Sequence, residues 1–322
     1  MSVRRAALGA LGSAAAGSAL YVLQRAVSAR WRTGSGEVAA AGLSLPADLR
    51  HRFVATSDGG RIHVVERGGG GPTTVLVHGI MLGVATWSPQ LRALPGRVVA
   101  VSQRGHGQSR AGTEGYGFER LAADLLEVMA DLEVRDALLV GHSMGGMVAE
   151  LCALTRPDDL ARHVKGMVLV STSPGPVLGT GVAALRVPAL AGAAAARALG
   201  AAERRGSGPL PKGATVWAAR LCFGASPVPA QVELVRGMLD AMSPGALAGL
   251  LPHLFAFEVR DRLPDLALPV HVVVGSRDVL TPPRAARAIV ERAPGAELTV
   301  LAGCGHMVML ERAEALCSLL VR

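Results

Sequence analysis

The chain has 322 residues, half of them hydrophobic and only 3% aromatic, so a large core has to be built mainly from Ala, Val and Leu. That length suits one large domain with an insertion, or two smaller ones. The net charge is +8, but the arginines are scattered singly or in pairs without interleaved aromatic platforms, which argues against nucleic acid and for a solvated basic surface.

Residues 6–23 (AALGALGSAAAGSALYVL) carry no charge and lie between Arg4–Arg5 and Arg25, Arg30 and Arg32. Three readings stand open: a signal-anchor helix, a signal peptide cleaved near Val27-Ser28-Ala29, or a surface-bound or disordered arm. The apolarity comes from Ala and Gly, so insertion would be marginal, and arginines on both flanks blunt the rule for orientation. A membrane-associated or exported protein is the expectation, with a cytoplasmic one as the alternative. Residues 1–48 are set apart from the catalytic fold in either case.

From Leu49 onward the punctuation is regular. Arg52–Thr56 and Arg61–Glu66 alternate around Ser57-Asp58-Gly59-Gly60 and predict a β-hairpin. Thr73–Val77, Arg97–Val101, Ala137–Val140, Met167–Val170 and Val270–Val274 are continuous apolar runs, as strands buried on both faces require. Phe118–Leu132 places Leu121, Leu125, Val128, Met129 and Leu132 at helical spacing, and a further helix is expected from about Met147 to Thr155. Helix-like Arg284–Arg292, a strand at Leu298–Leu301 and a terminal helix up to Arg322 close the chain. Strands alternating with helices imply an open, mostly parallel, doubly wound sheet.

Residues 173–263 break that rhythm with many Ala, Leu, Gly and Pro and no strong strand. They predict a helical cap between core segments 49–172 and 264–322, over the strand ends where ligands bind in such sheets.

Gly141-His142-Ser143-Met144-Gly145 is a complete G-x-S-x-G, placed directly after an apolar strand and opening a helix. Such a turn lifts the Ser143 hydroxyl above the sheet, while the glycines two positions to either side let backbones pass closely. A serine hydroxyl needs a base. Of nine histidines, His306 alone stands in a loop, Gly303-Cys304-Gly305-His306, that emerges after the last strand at the same sheet edge. His163, His253 and His271 read as structural or exposed, His51 and His63 belong to the hairpin region, and His142 points elsewhere on the turn. Asp278, in Gly275-Ser276-Arg277-Asp278 at a strand's C-terminal end, is placed to orient that histidine. Asp261 and Asp265 precede that strand, and no acid follows Met167–Val170. Two N–H donors for an oxyanion are expected from Met144 and, in the loop His78-Gly79-Ile80-Met81, from Ile80. His78 itself reads as a brace of that loop.

These residues, with Arg104-Gly105-His106-Gly107-x-Ser109 and Gly305-His306, resemble the α/β-hydrolase superfamily, in its lidded esterase, lipase and haloperoxidase-like branch. The resemblance covers Arg52 to Arg322 and includes the chain order Ser, Asp, His. It implies an α/β-hydrolase fold with the cap inserted before the acid-bearing strand. The family usually has an aspartate two residues before the arginine; Ser102 stands there, so one structural polar contact is expected to be missing. Epoxide and haloalkane hydrolases of this fold use an aspartate where Ser143 stands, and the Gly-Gly-Ser-Trp-Gly of proline iminopeptidases is absent.

The expectation is therefore a serine hydrolase of carboxylic esters, with an apolar or lipid-like substrate suggested by the apolar cap. A cofactor-free perhydrolase or acyltransferase with the same triad, or a slow-turnover binding protein, are the alternatives. No cofactor is implied, since Gly68–Gly71 lacks the lysine and helix of a phosphate loop, and dispersed histidines offer no metal site. Cys152, Cys222, Cys304 and Cys317 lack metal spacing and read as buried free thiols; a disulfide would require an oxidising compartment.

Overall fold

Runs of valine and leucine bounded by glycine and proline pair best as central strands, because both of their faces must be covered. In the computed structural model, which describes Trp31, Ala194 and residues 34–176, 197–201, 203–205 and 214–321, such runs form the middle of one eight-stranded sheet, with the more exposed first and last strands at its edges. The strands are β1 (Arg50–Ala55), β2 (Arg61–Arg67), β3 (Thr73–Val77), β4 (Arg97–Val101), β5 (Ala137–His142), β6 (Val164–Val170), β7 (Val270–Gly275) and β8 (Glu297–Leu301). Their order is β1-β2-β4-β3-β5-β6-β7-β8. β1–β2 and β2–β4 pair antiparallel and every other pair is parallel. Residues 6–23, with the anchor and signal readings placed on them, lie outside the described residues. Among the described residues no helix is long and apolar enough to cross a membrane.

The helices, in chain order, are α1 (Ser35–Ala40), α2 (Ser88–Ala93), α3 (Phe118–Asp131), α4 (Met144–Thr155), α5 (Pro157–Ala161), α6 (Ala214–Leu221), α7 (Pro229–Ala241), α8 (Pro244–Ala256), α9 (Pro283–Val290), α10 (Val308–Glu311) and α11 (Ala313–Leu320). Side chains alternate between two cores. Val75, Val77, Leu139, Leu169 and Val272 face α3 and α4. Leu76, Val140, Val168 and Val273 face Trp87, Leu91, Met309 and Leu316 on the other side.

α6, α7 and α8 belong to the stretch between β6 and β7, where the sequence suggested a cap; residues 177–193 and 206–213 of it lie outside the described residues. Several boundaries differ from the expectation: β5 runs on to His142 and β6 starts at Val164. α4 starts at Met144 rather than near Met147, because Ser143 itself is the turn. The terminal helix is two helices, broken at Arg312, whose φ of −135° and ψ of 46° are not helical.

Arg104 ties the hairpin to the helical layer. It is fully buried, with Nη1 2.9 Å from Asp58 Oδ2 and Nε 2.6 Å from Asp124 Oδ2. Its guanidinium holds the Asp58 carboxyl below the usual range, whereas burial pushes Asp124 up despite Arg104 and Arg120. At Ser102, where the family usually has an aspartate, the hydroxyl donates to the His106 carbonyl at 3.0 Å, a bond that a carboxylate could not make. All four cysteines are free thiols: Cys152 and Cys304 are buried, Cys222 and Cys317 half-buried. Burial pushes Cys152 and Cys222 up to about 12, and raises Cys304 and Cys317 as well.

Candidate active site

β5 ends at His142 and α4 begins at Met144, which leaves one residue to turn the chain. That residue, Ser143, has φ 52° and ψ −120°, a conformation that costs an L-residue energy and persists only under constraint from its surroundings. The constraint is crowding. A Cβ on Gly141 would lie 2.6 Å from the Gly145 carbonyl oxygen, and one on Gly145 would overlap the Val77 carbonyl oxygen of β3. Ser143 N–H donates to Val170 O at 3.0 Å, and Thr172 Oγ1 donates to Ser143 O at 2.8 Å, so β6 braces the turn as well.

His306 follows β8 and Asp278 follows β7, both at C-terminal strand ends beside that turn. The structure brings them together: His306 Nδ1 lies 2.9 Å from Asp278 Oδ2, with both residues buried. A carboxylate only accepts, so the proton sits on Nδ1 and Nε2 keeps its lone pair. Asp278 Oδ1 accepts the N–H groups of Leu280 and Thr281, each at 2.9 Å, and Oδ2 accepts the Thr281 hydroxyl at 2.8 Å. Burial alone would raise this carboxyl, but its pairing with His306 and these donors hold it below the usual range. Among the described hydrogen bonds none joins Ser143 Oγ to His306; such contacts often tighten only when substrate is bound.

On the other flank of β5, the loop after β3 runs against the turn. A Cβ on Gly79 would stand 3.0 Å from both Ser143 Cβ and His142 Nδ1. Neither Ile80 N–H nor Met144 N–H donates to an acceptor among the described residues, whereas Met81 N–H is engaged by His106 Nε2 at 3.0 Å. His78 braces the loop as expected. Its Nε2 accepts from Gln103 N–H at 3.1 Å, so Nδ1 carries the proton and donates to Gly79 O at 2.7 Å. Burial keeps His78 neutral, lowering it to about 3, and lowers His106 to about 4.

Two residues escaped the sequence reading. His142 does not point away: its ring centroid is 4.7 Å from that of His306, and its Nε2 donates to the His306 carbonyl at 3.0 Å. Burial, then the neighbouring His306, pushes it well below the ordinary histidine range, so it is a neutral brace. Thr281 is the other, and its signal was available: a hydroxyl three residues after an aspartate, just before a proline-started helix, is an Asx-turn pattern. His63 meets His51 at 3.0 Å, His163 Nδ1 donates to Val134 O at 2.8 Å, and His271 meets Thr299 Oγ1 at 2.8 Å, all remote from the turn. Among the described residues no group of three or more His, Cys, Asp or Glu could hold a metal. A cavity of about 450 Å³ lies at the opposite, N-terminal edge of the sheet, lined by Thr73, Leu138, Val270 and Glu297 among others, and is separate from this site.

The sequence profile of the Alpha/beta hydrolase family matches residues 74–319. The chain is 32% identical over 257 residues to a pimeloyl-[acyl-carrier protein] methyl ester esterase of Aromatoleum aromaticum, covering 78% of this chain and 96% of that one. It is 42% identical over 94 residues to a non-heme chloroperoxidase of Kitasatospora aureofaciens, covering 28% of this chain and only 34% of that protein's length. A solved hydrolase of Pseudomonas aeruginosa superposes with a TM-score of 0.70 at 27% identity, over 85% of this chain and 97% of the other.

Proposed function

This chain belongs to the alpha/beta hydrolase family, and from that premise we propose that it is a serine-dependent hydrolase of carboxylic esters with Ser143, His306 and Asp278 as its triad. One observation carries the reading: a serine held at φ 52° between glycines, beside a buried histidine whose Nδ1 is bonded to a buried aspartate at 2.9 Å. His306 Nε2 takes the proton from Ser143 Oγ as that oxygen attacks the ester carbonyl. The carbonyl oxygen becomes an oxyanion between the Ile80 and Met144 N–H groups, aided by the positive end of α4. His306 then passes its proton to the leaving alkoxide, and an acyl group remains on Ser143. Water, deprotonated by His306, releases the acid and restores the serine. Asp278 stays ionised throughout and stabilises the imidazolium.

An apolar acyl group is what we infer from the side chains of the loop after β3 and the helices behind it. Half-buried Ile80 and Met81 pack against the core, and cap residues Leu247, Leu250 and Leu254 join the same cluster. The methyl ester esterase relative supports ester cleavage; a lipid-like chain is an inference from these side chains.

Labelling with a fluorophosphonate tests the nucleophile, because that reagent phosphonylates only an activated serine. Wild type is expected to label, and Ser143→Ala to lose labelling without loss of folding. Equal labelling of the two, or none of a folded wild type, would sink the reading. An ester series of increasing acyl length tests the substrate class: kcat/KM is expected to rise from acetyl to longer chains, and a flat series would reject an apolar preference.

A further inference from the structure

The loop that carries His306 is held from the cap side as well as from the sheet. His306 N–H and Met307 N–H both donate to the carbonyl of Cys222, just beyond α6, at 2.7 and 3.2 Å. Glu311 of α10 completes the junction: Oε1 accepts Gly305 N–H at 2.8 Å and Oε2 accepts Gly224 N–H at 2.9 Å. A third tie runs from α7, where Gln231 Nε2 donates to Leu310 O at 2.8 Å. The backbones touch here. A Cβ on Gly224 would overlap the Gly303 carbonyl, and one on Gly305 would overlap Gly224 N. Both glycines are buried, so an amide left without an acceptor would cost the full desolvation of an N–H.

We propose that Glu311 is a positioning residue for the base, its carboxylate joining the cap segment Cys222–Gly224 to the His306 loop so that this part of the cap is a fixed wall of the site rather than a moving flap. The inference rests on His306 being the base. The carboxylate is needed for its chemistry: it offers two acceptor oxygens and no donor, whereas glutamine would turn an NH₂ toward one of the two N–H groups. Movement of the cap at Gly224 is then transmitted to His306, and displacement of a catalytic group by about 1 Å can cost about 100-fold in rate.

Full-length wild type, Glu311→Gln, Glu311→Ala and Ser143→Ala decide the matter through three readings: kcat and KM on a p-nitrophenyl ester, fluorophosphonate labelling rate, and hydrogen exchange at Gly224 and at Gly305–Met307. Glu311→Gln is expected to lower kcat and the labelling rate by about 10- to 100-fold with KM near wild type, while exchange rises at both segments together. Unchanged kcat and exchange, or faster exchange at Gly305–Met307 with Gly224 still protected, would overturn it. A fall in activity matched only by loss of thermal stability would overturn it too. The isosteric glutamine keeps the test open if the alanine variant does not fold. Absence of Ser143-dependent labelling in wild type counts against the proposed function alone, since exchange at the two segments reports the junction without turnover.

Discussion

Glu150 lies about two turns along α4 from Ser143, fully buried, and neither of its carboxyl oxygens has a partner among the described residues. Burial pushes its pKa well above the usual carboxylate range, so the folded chain keeps this proton where the unfolded chain has released it. Between the ordinary glutamate value, near 4.5, and the raised folded value, the native state therefore binds more protons, and stability falls as pH rises. Glu150→Gln keeps the shape and removes the titration. Denaturant unfolding is expected to show the variant close to wild type at pH 4 and more stable at pH 8; a constant difference would reject this assignment. Residue types were legible in the sequence where a motif carries them, as at Ser143, His306 and Asp278. What His142 and Glu150 do was not, because each depends on what another element packs against it: the His306 carbonyl in one case, nothing polar in the other.

At the scale of elements, the strand–turn–helix unit around Ser143 shows why the prediction of boundaries failed where it did. Apolar runs located β3 and β4 to the residue, whereas β5 runs two residues past its apolar run, through Gly141 to His142. The start of α4 was placed late because Met144-Gly145-Gly146 is a poor helix opening by intrinsic propensity. Crowding overrides propensity at that point: Gly145 lies against the Val77 and His78 carbonyls, and Gly146 against Thr172. Gly145→Ala should therefore lower stability by about 1–3 kcal/mol and slow fluorophosphonate labelling, because neither backbone can give way without moving the turn. Denaturant unfolding with parallel labelling checks this; a variant as stable and as reactive as wild type would mean the turn has slack.

For the whole molecule, the alternation of strands and helices conveyed a doubly wound sheet, and the broken rhythm after β6 marked the inserted helices. The sheet order was not legible, nor was the burial of Arg104 between Asp58 of the hairpin turn and Asp124 of α3. Those contacts join segments far apart in sequence, and no local pattern reports them. The same holds for the thiols. Cys222 and Cys304 read only as buried free thiols, and nothing local told that they lie where the inserted helices meet the His306 loop.

The cysteines, two buried and two half-buried, give the protein an internal clock. Alkylation requires thiolate, and burial leaves almost none at pH 8 in Cys152 or Cys222. An unfolded chain, with its thiols near 9, reacts readily. Iodoacetamide followed by peptide mapping should thus leave Cys152 and Cys222 unmodified in the native protein and alkylate all four thiols of each chain that has opened completely. A population carrying a single adduct, at Cys222, would time a different event: release of the helices inserted after β6 from a sheet that is still folded.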